Sequence, residues 1–449
     1  MNRLAFGFGL LVLALGVGFT PTVRAQEGEG GGGGGRQRGQ RPAMVDQLKQ
    51  AGIDLTEDQA TKVKALEEKM RADMQTLRQN GGAREDMAKL FDKLNTDVKA
   101  LLTAEQQPKF DEFVKKQAER RQQRGGGNQD QPAPKPTDLS PIKVEKEINL
   151  GQGGFDYLKA NADSRKLYVA HSTKVDVIDM DKNEKIGEVE GVDGAHGIAI
   201  STDGKLGFAT AGKKQKVVVF DTETNKVTKE VETGQGPDAI IFASSVNEAW
   251  SINHKGGNVT CIDAKTLEVT KTIDVGGTLE FACEDPANAM VFVNVENKGT
   301  VVAIDAKKHE VKATYTLADG AEPTGISIDA KAGILFVGTG NKKLFILESA
   351  TGKILATKDI GDHCDAVAFD EGTKTCFASC GDGYTYVIHE KDATTFESLK
   401  TIETARGGKC CTVDQKTHKL YIAVAPRRNE KGESRVLVFT PEVPSGKTF

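Results

Sequence analysis

Seven times along the C-terminal two-thirds of this chain, an aromatic residue is preceded, twelve positions earlier, by a polar residue that opens an apolar run of strand length. The aromatics are Tyr168, Phe208, Trp250, Phe292, Phe336, Phe377 and Tyr421. The polar partners are Asp156, His196, Asp238, Glu280, Thr324, Asp365 and Lys409, and successive members lie 40 to 44 residues apart. Turn signals such as Thr202-Asp203-Gly204-Lys205 separate the runs. A period near 40 in a strand-rich chain predicts a ring of four-stranded sheets, one per repeat, which is a propeller. The second unit shows the outer strands as "KVVVFDTETN" and "KVTKEVETG".

The seventh unit has "GGKCCTV", "HKLYIAV" and, after a charged insertion at 427–434, "RVLVFT", but no fourth strand. The orphan segment "IKVEKEINL" at 142–150 matches what is missing. The expected fold for 141–449 is therefore an all-β seven-bladed propeller closed by its N-terminal strand. Such closure removes exposed sheet edges. The phrases "KLYVAHSTKVDVIDM" and "KLYIAVA" resemble the YVTN-repeat (YncE-like) propellers, and the resemblance covers essentially all of 141–449. It implies a bacterial, usually exported protein, in a group mostly without an assigned reaction.

At a prior of roughly one domain per 150 residues, the length leaves room for more than the propeller. The first residues, "MNRLAFGFGLLVLALGVGFTPTVRAQ", carry Arg3, an apolar run from Leu4 to Val17, and small residues at Val23 and Ala25. This is the pattern of a cleavable secretory signal over 1–25. The predicted location is periplasmic or secreted, with no membrane span after signal cleavage. Residues 26–42 are a Gly-rich polar tether, too poor in apolar surface to order themselves. Residues 124–140, containing "RGGGNQDQPAPKPT", form a second linker.

Between them, 43–123 has a helical apolar rhythm. One stripe is Val63, Leu66, Met70, Met74 and Leu77; another is Leu90, Phe91, Leu94, Val98, Leu101 and Leu102, with Asn80-Gly81-Gly82 as a break. "LTEDQ" at 55–59 and "LTAEQ" at 102–106 both read as capping boxes. Thr56 and Thr103 cap the free amides of a first turn, while Gln59 and Gln106 return a bond to the cap. Two such pentads resemble the LTxxQ (Spy/CpxP-like) helical proteins of the periplasm. That resemblance implies a separate small all-α domain, an α-hairpin that dimerises or holds unfolding clients. The bundle reads equally as a spacer.

In a propeller the first strand of each blade lines the central channel, so the polar column gathers at one mouth. Four carboxylates and an imidazole converging there raise one another's pKa values or recruit a cation. Asp156, His196, Asp238, Glu280, Thr324, Asp365 and Lys409 are the candidate ligand or metal residues; no cofactor is specified, the carboxylates and imidazole suit a divalent metal, and Lys409 could instead balance the ring or hold an anion. A solvated mouth without ligand is the competing reading. YncE-like relatives often carry an Arg where Lys409 stands, and Lys lacks the bidentate fork for an anion. His171, His254 and His363 are weaker candidates, read first as surface or satisfied histidines. His309, His389 and His418 receive no role.

All seven cysteines lie beyond residue 260, without paired CxxC spacing for zinc. Cys364 and Cys380 face each other if the sixth blade's hairpin turns near Gly372, as a disulfide or as two buried thiols. A net charge of −4 gives no reason to expect nucleic acid. There is no GxSxG, HExxH or CxxCH motif, and "GQGG" at 151–154 lacks the Lys-Ser/Thr of a phosphate loop. The expected function is an exported, non-enzymatic binding protein, taking a protein partner or small ligand at the channel mouth, with the helical domain for dimerisation or client holding. The alternative is a lactonase-like, metal-assisted hydrolase using the same carboxylates.

Overall fold

The structure, a computed structural model, describes residues 44–79, 84–115, 135–318, 321–426 and 432–442, and the side chains of 46, 50 and 75–89 are not among those described. The signal-like segment 1–25 and the tether 26–42 lie outside the described residues. No helix among those described is long and apolar enough to cross a membrane.

Seven antiparallel sheets make up the chain from residue 146 onward. Their first strands are Phe155–Asn161, Ala195–Ile200, Pro237–Ala243, Leu279–Asp285, Pro323–Asp329, Cys364–Asp370 and Cys410–Val413. Each first strand neighbours the next, and the seventh returns to the first, so the ring is closed. This is the seven-bladed propeller that the repeat predicts. Second strands such as "EAWSIN", "MVFVNV" and "TCFASC" are buried at every residue. A sheet covered on both faces by its neighbours produces such unbroken runs. The seven repeat aromatics sit there, none more than 2% exposed. Truncating one to Ala would cost about 3–5 kcal/mol.

The outer strands are mostly exposed, and Lys185, Lys229 and Lys271 blunt them against edge-to-edge pairing. Hairpins turn on Asx motifs. Asn161, Asp329, Asp370 and Asp414 end first strands and accept amides two or three residues on. Asp179, Asp221 and Asp263 do the same after third strands. The turn acids that recur through the sequence are thus spent on backbone.

The last blade is composite. Lys146–Gly151 pairs antiparallel with Ser434–Phe439, with Ile148 opposite Val436. Strand order in that blade runs 146–151, 434–439, 420–424, 410–413. Blade six is irregular, because its outer strand is broken into Thr395–Ser398 and Ile402–Glu403. The incoming chain docks at the break: Ser140 N donates to Thr401 O at 2.8 Å, and Thr401 N to Asp138 O at 3.0 Å. Backbone pairing to the propeller therefore begins at Asp138, after an ion pair from Lys135 to Glu403, inside the segment expected as linker.

The helical region comprises α1 (Met44–Gln50), α2 (Glu57–Gln79), α3 (Arg84–Leu101) and a further helical run at 107–115. Met44, Leu48, Ile53, Val63, Leu94, Val98, Leu102 and Phe110 form its core. The Asn80-Gly81-Gly82 break lies outside the described residues. Thr56 N donates to Gln59 Oε1 (3.0 Å) and Gln59 N to Thr56 Oγ1 (3.2 Å). Thr103 and Gln106 repeat both bonds at 2.9 and 3.3 Å. The two boxes also meet, since Gln59 Nε2 donates to Gln106 Oε1 at 3.0 Å and Gln106 Nε2 to Asp54 O at 2.6 Å. One glutamine pair thereby caps two helices and joins them.

Two outcomes are expected. Ile148→Ala in the full chain should lower stability by about 2–4 kcal/mol, with amide exchange rising first over 434–439; uniform loss of protection would contradict closure by this strand. Glu390 is buried beside the Asp329–Lys374 ion pair. Burial, with Asp329 nearby, pushes its carboxyl up to about 7. A raised folded-state pKa gives stability that is present in acid and lost as pH rises through that value. Glu390→Gln should therefore gain on the parent between pH 4 and pH 8 by roughly 2 kcal/mol, measured as the pH dependence of the urea midpoint. A pH-independent difference would refute it.

Candidate ligand site at the channel mouth

The first six inner strands all break register just after they begin. The shifts fall at Phe155/Leu158, Ala195/Ile198, Pro237/Ile240, Leu279/Ala282, Pro323/Gly325 and Cys364/Ala366. Each bulge contains the polar residue of the repeat. A bulge leaves a residue unpaired and re-aims its side chain, which is how strands of a packed ring present groups at a mouth. Neighbouring bulges nearly touch. A Cβ on Gly197 would lie 2.7 Å from Ile240 N and 2.8 Å from Asp238 O, and one on Gly325 2.8 Å from Val367 N. Thr210 ties two of them: its Oγ1 accepts from Gly197 N (2.8 Å) and donates to Asp238 O (2.5 Å). Asn294 donates likewise to Thr324 O and Gly325 O, and Ser379 to Gly408 O.

The polar column divides into two halves. On blades one to four, His196 Nδ1 lies 2.6 Å from Asp156 Oδ2 and 3.2 Å from Asp238 Oδ1. Asp238 is also grouped with Glu280 and His254, whose Nδ1 is 3.2 Å from Glu280 Oε1 and 2.8 Å from Leu279 O. Within each of the two groups, the candidate ligand atoms lie within 4.8 Å of one another. Gly212 makes room for the His196 ring, since a Cβ there would meet it at 2.9 Å. Burial drives the Glu280 carboxyl up against the lowering influence of His254, and Asp238 adds to the rise. Burial opposes charge on His254, but the Glu280 contact outweighs it and raises the imidazole to about 9.

On blades five to seven the column is already satisfied within the protein. Thr324 Oγ1 donates to Cys364 O and to Gly338 O. Lys409 pairs with Asp365. The seven residues therefore do not form a single ring of donors. His363 is exposed and 3.2 Å from Asp362. His171 is buried, held between Asp176 (2.6 Å) and the Gln152 carbonyl (2.9 Å), a satisfied structural histidine. Cys364 stands directly opposite Cys380, and both are free buried thiols.

The next column lies one residue further along each blade. After the polar residues come Tyr157, Gly197, Ala239, Phe281, Gly325, Ala366 and Cys410. Only blades one and four supply rings, and those of Tyr157 and Phe281 meet with centroids 4.8 Å apart. Asp156, Asp238 and Glu280 lie near this ring pair. Burial, then these carboxylates, hold the Tyr157 phenol well above its ordinary value. The acidic cluster thus sits against an aromatic pair.

His254 was underweighted in the sequence because it reads as a turn residue. Four residues past each repeat aromatic lie Ser172, Gly212, His254, Glu296, Gly340, Gly381 and Ala425. Its only titratable members, His254 and Glu296, both act on Glu280. A third grouping, Glu248, Cys261 and His309, was also unanticipated. There the carboxylate is occupied: Trp250 Nε1 (2.9 Å), Thr270 Oγ1 (2.7 Å) and His309 Nε2 (2.7 Å) all contact it, and His309 stacks on Trp250. It is an interior polar knot.

No family model and no curated relative matches the chain. In fold it is similar to the WD40 repeats of RRP9, at 11% identity and TM-score 0.56, over 68% of this chain and 99% of that one. It is similar to the hydrazine synthase of Kuenenia stuttgartiensis at 14% identity and TM-score 0.56, over 70% and 99%. A chain of a mitotic checkpoint complex matches at 16% and 0.57, over 68% and 94%. Identities this low carry the fold alone. The YVTN-repeat and LTxxQ likenesses therefore remain resemblances, and what stands is a seven-bladed β-propeller with a small helical region.

Because Gly197 touches the Asp238 backbone, Gly197→Ala should shift that bulge and cost about 1–3 kcal/mol. The expected readout is a lowered urea midpoint with changed chemical shifts for His196. An unshifted His196 would show that the bulges are not mechanically linked.

Proposed function

We propose that this chain is an exported, non-enzymatic binding protein whose propeller holds a cationic ligand at the channel mouth. One observation carries the reading: two imidazoles and three carboxylates converge on adjacent blades beside the Tyr157–Phe281 ring pair. Carboxylates held together seek positive charge, and a low-dielectric wall strengthens the attraction. The signal-like N-terminal pattern and the YncE-like resemblance support export to the periplasm or beyond. For the helical region we propose an LTxxQ-type role in dimerisation or client holding, supported by the joined capping boxes.

A second reading, metal-assisted hydrolysis of a lactone-like substrate, is favoured by His196, whose imidazole is oriented by two carboxylates as a general base would be. The proposed test is equilibrium binding to the full chain of divalent metals, tetramethylammonium and spermidine. The comparison is a variant carrying Asp156→Asn, Asp238→Asn and Glu280→Gln. Binding by the parent that the variant loses supports the site. Equal binding by both, or none by either, refutes it. Lactone hydrolysis by the parent and not the variant would move the protein to the second reading.

A further inference from the structure

We infer that this cluster takes a pair of divalent transition-metal ions bridged by Asp238. This rests on reading the mouth as a site for a cationic ligand and specifies the ligand. Asp156, His196 and Asp238 form one donor group; Asp238, His254 and Glu280 form the other. Each group offers one imidazole, one carboxylate of its own and the shared carboxylate of Asp238. That is an even division, and it matches the bridged arrangement of two-metal centres.

The two 3.2 Å spacings suit ligands of one ion, and the 2.6 Å His196–Asp156 hydrogen bond would open by a few tenths of an ångström to match. His196 stands 2.6 and 3.2 Å from its two carboxylates, and His254 3.2 Å from Glu280. Ligand atoms bound at about 2.0–2.2 Å to one divalent ion sit on the order of 3 Å apart. An ion can replace the proton shared between His196 and Asp156; at His254 it would take the Nδ1 that now faces both the Leu279 carbonyl (2.8 Å) and Glu280 (3.2 Å). Two divalent ions exceed the charge of the three carboxylates by one, which a bound hydroxide would balance. Mixed imidazole and carboxylate donors favour zinc, manganese, iron or cobalt over magnesium and calcium. The bulges hold four of these donors on strands of a closed ring, and His254 sits on the turn after Glu248–Asn253, bonded to the Leu279 carbonyl, which keeps the arrangement pre-formed.

The full chain, stripped with chelator and dialysed, is titrated with Zn²⁺ by calorimetry and with Mn²⁺ followed by electron paramagnetic resonance. The expected result is two equivalents per chain and a spin-coupled manganese pair. His196→Gln and His254→Gln should each leave one equivalent and abolish the coupling. Asp238→Asn should weaken both sites by more than about 100-fold, with circular dichroism reporting the fold. The stoichiometry and coupling of the parent decide the matter even if a variant misfolds. A single equivalent in the parent overturns the pair while a one-ion site stands. No metal uptake, with tetramethylammonium or spermidine bound and lost in the triple variant, overturns the inference and leaves the broader reading in place. No ligand of either kind overturns both.

Discussion

The close approach of one inner strand's bulge to the next sets most of what this propeller presents. Backbone meets backbone where Gly197 faces Asp238 and Ile240, and again where Gly325 faces Val367. No side chain fits between, so the spacing is fixed by atoms that cannot rotate away. Thr210 then binds both sides of the contact with one hydroxyl. Asp238 is consequently placed by its own main chain, held from the preceding blade. Ring closure by Lys146–Gly151 keeps the seven strands from splaying and so preserves that spacing.

Within this frame, the polar column is sorted by how each member's burial is offset. A buried polar group needs a partner, and a buried charge needs one more urgently. Thr324 turns to backbone carbonyls, and Asp365 takes Lys409. Those solutions are complete, and they leave that side of the mouth without net demand for a ligand. On the other side, three carboxylates share two imidazoles, and His254 is also bonded to a carbonyl. The raised pKa of Glu280 follows from burial combined with this shortage of positive charge. A cation relieves it, and that is the physical content of calling the place a site.

Much of this was legible in the sequence because a closed ring repeats its constraints. The twelve-residue step from Asp156 to Tyr168 recurs since the same bulge and the same buried ring recur. The missing fourth strand was readable for the same reason. What could not be read is the direction of side chains within a bulge, where the two-residue alternation fails. So Tyr157 and Phe281 looked like ordinary strand residues, although they meet across the channel axis. His254 was hidden because turn residues carry no periodic signal. The capping boxes were readable one at a time, but the bond between Gln59 and Gln106 depends on how the helices pack.

The aromatic pair bears on which kind of function the site can serve. Here the Tyr157 and Phe281 rings meet beside the carboxylates, at a centroid separation of 4.8 Å. Carboxylates beside such a pair have an apolar face on one side, which lowers the local dielectric and strengthens their hold on positive charge. A small, compact cation suits such a face, and His196 and His254, both part-exposed, are the groups through which it would enter.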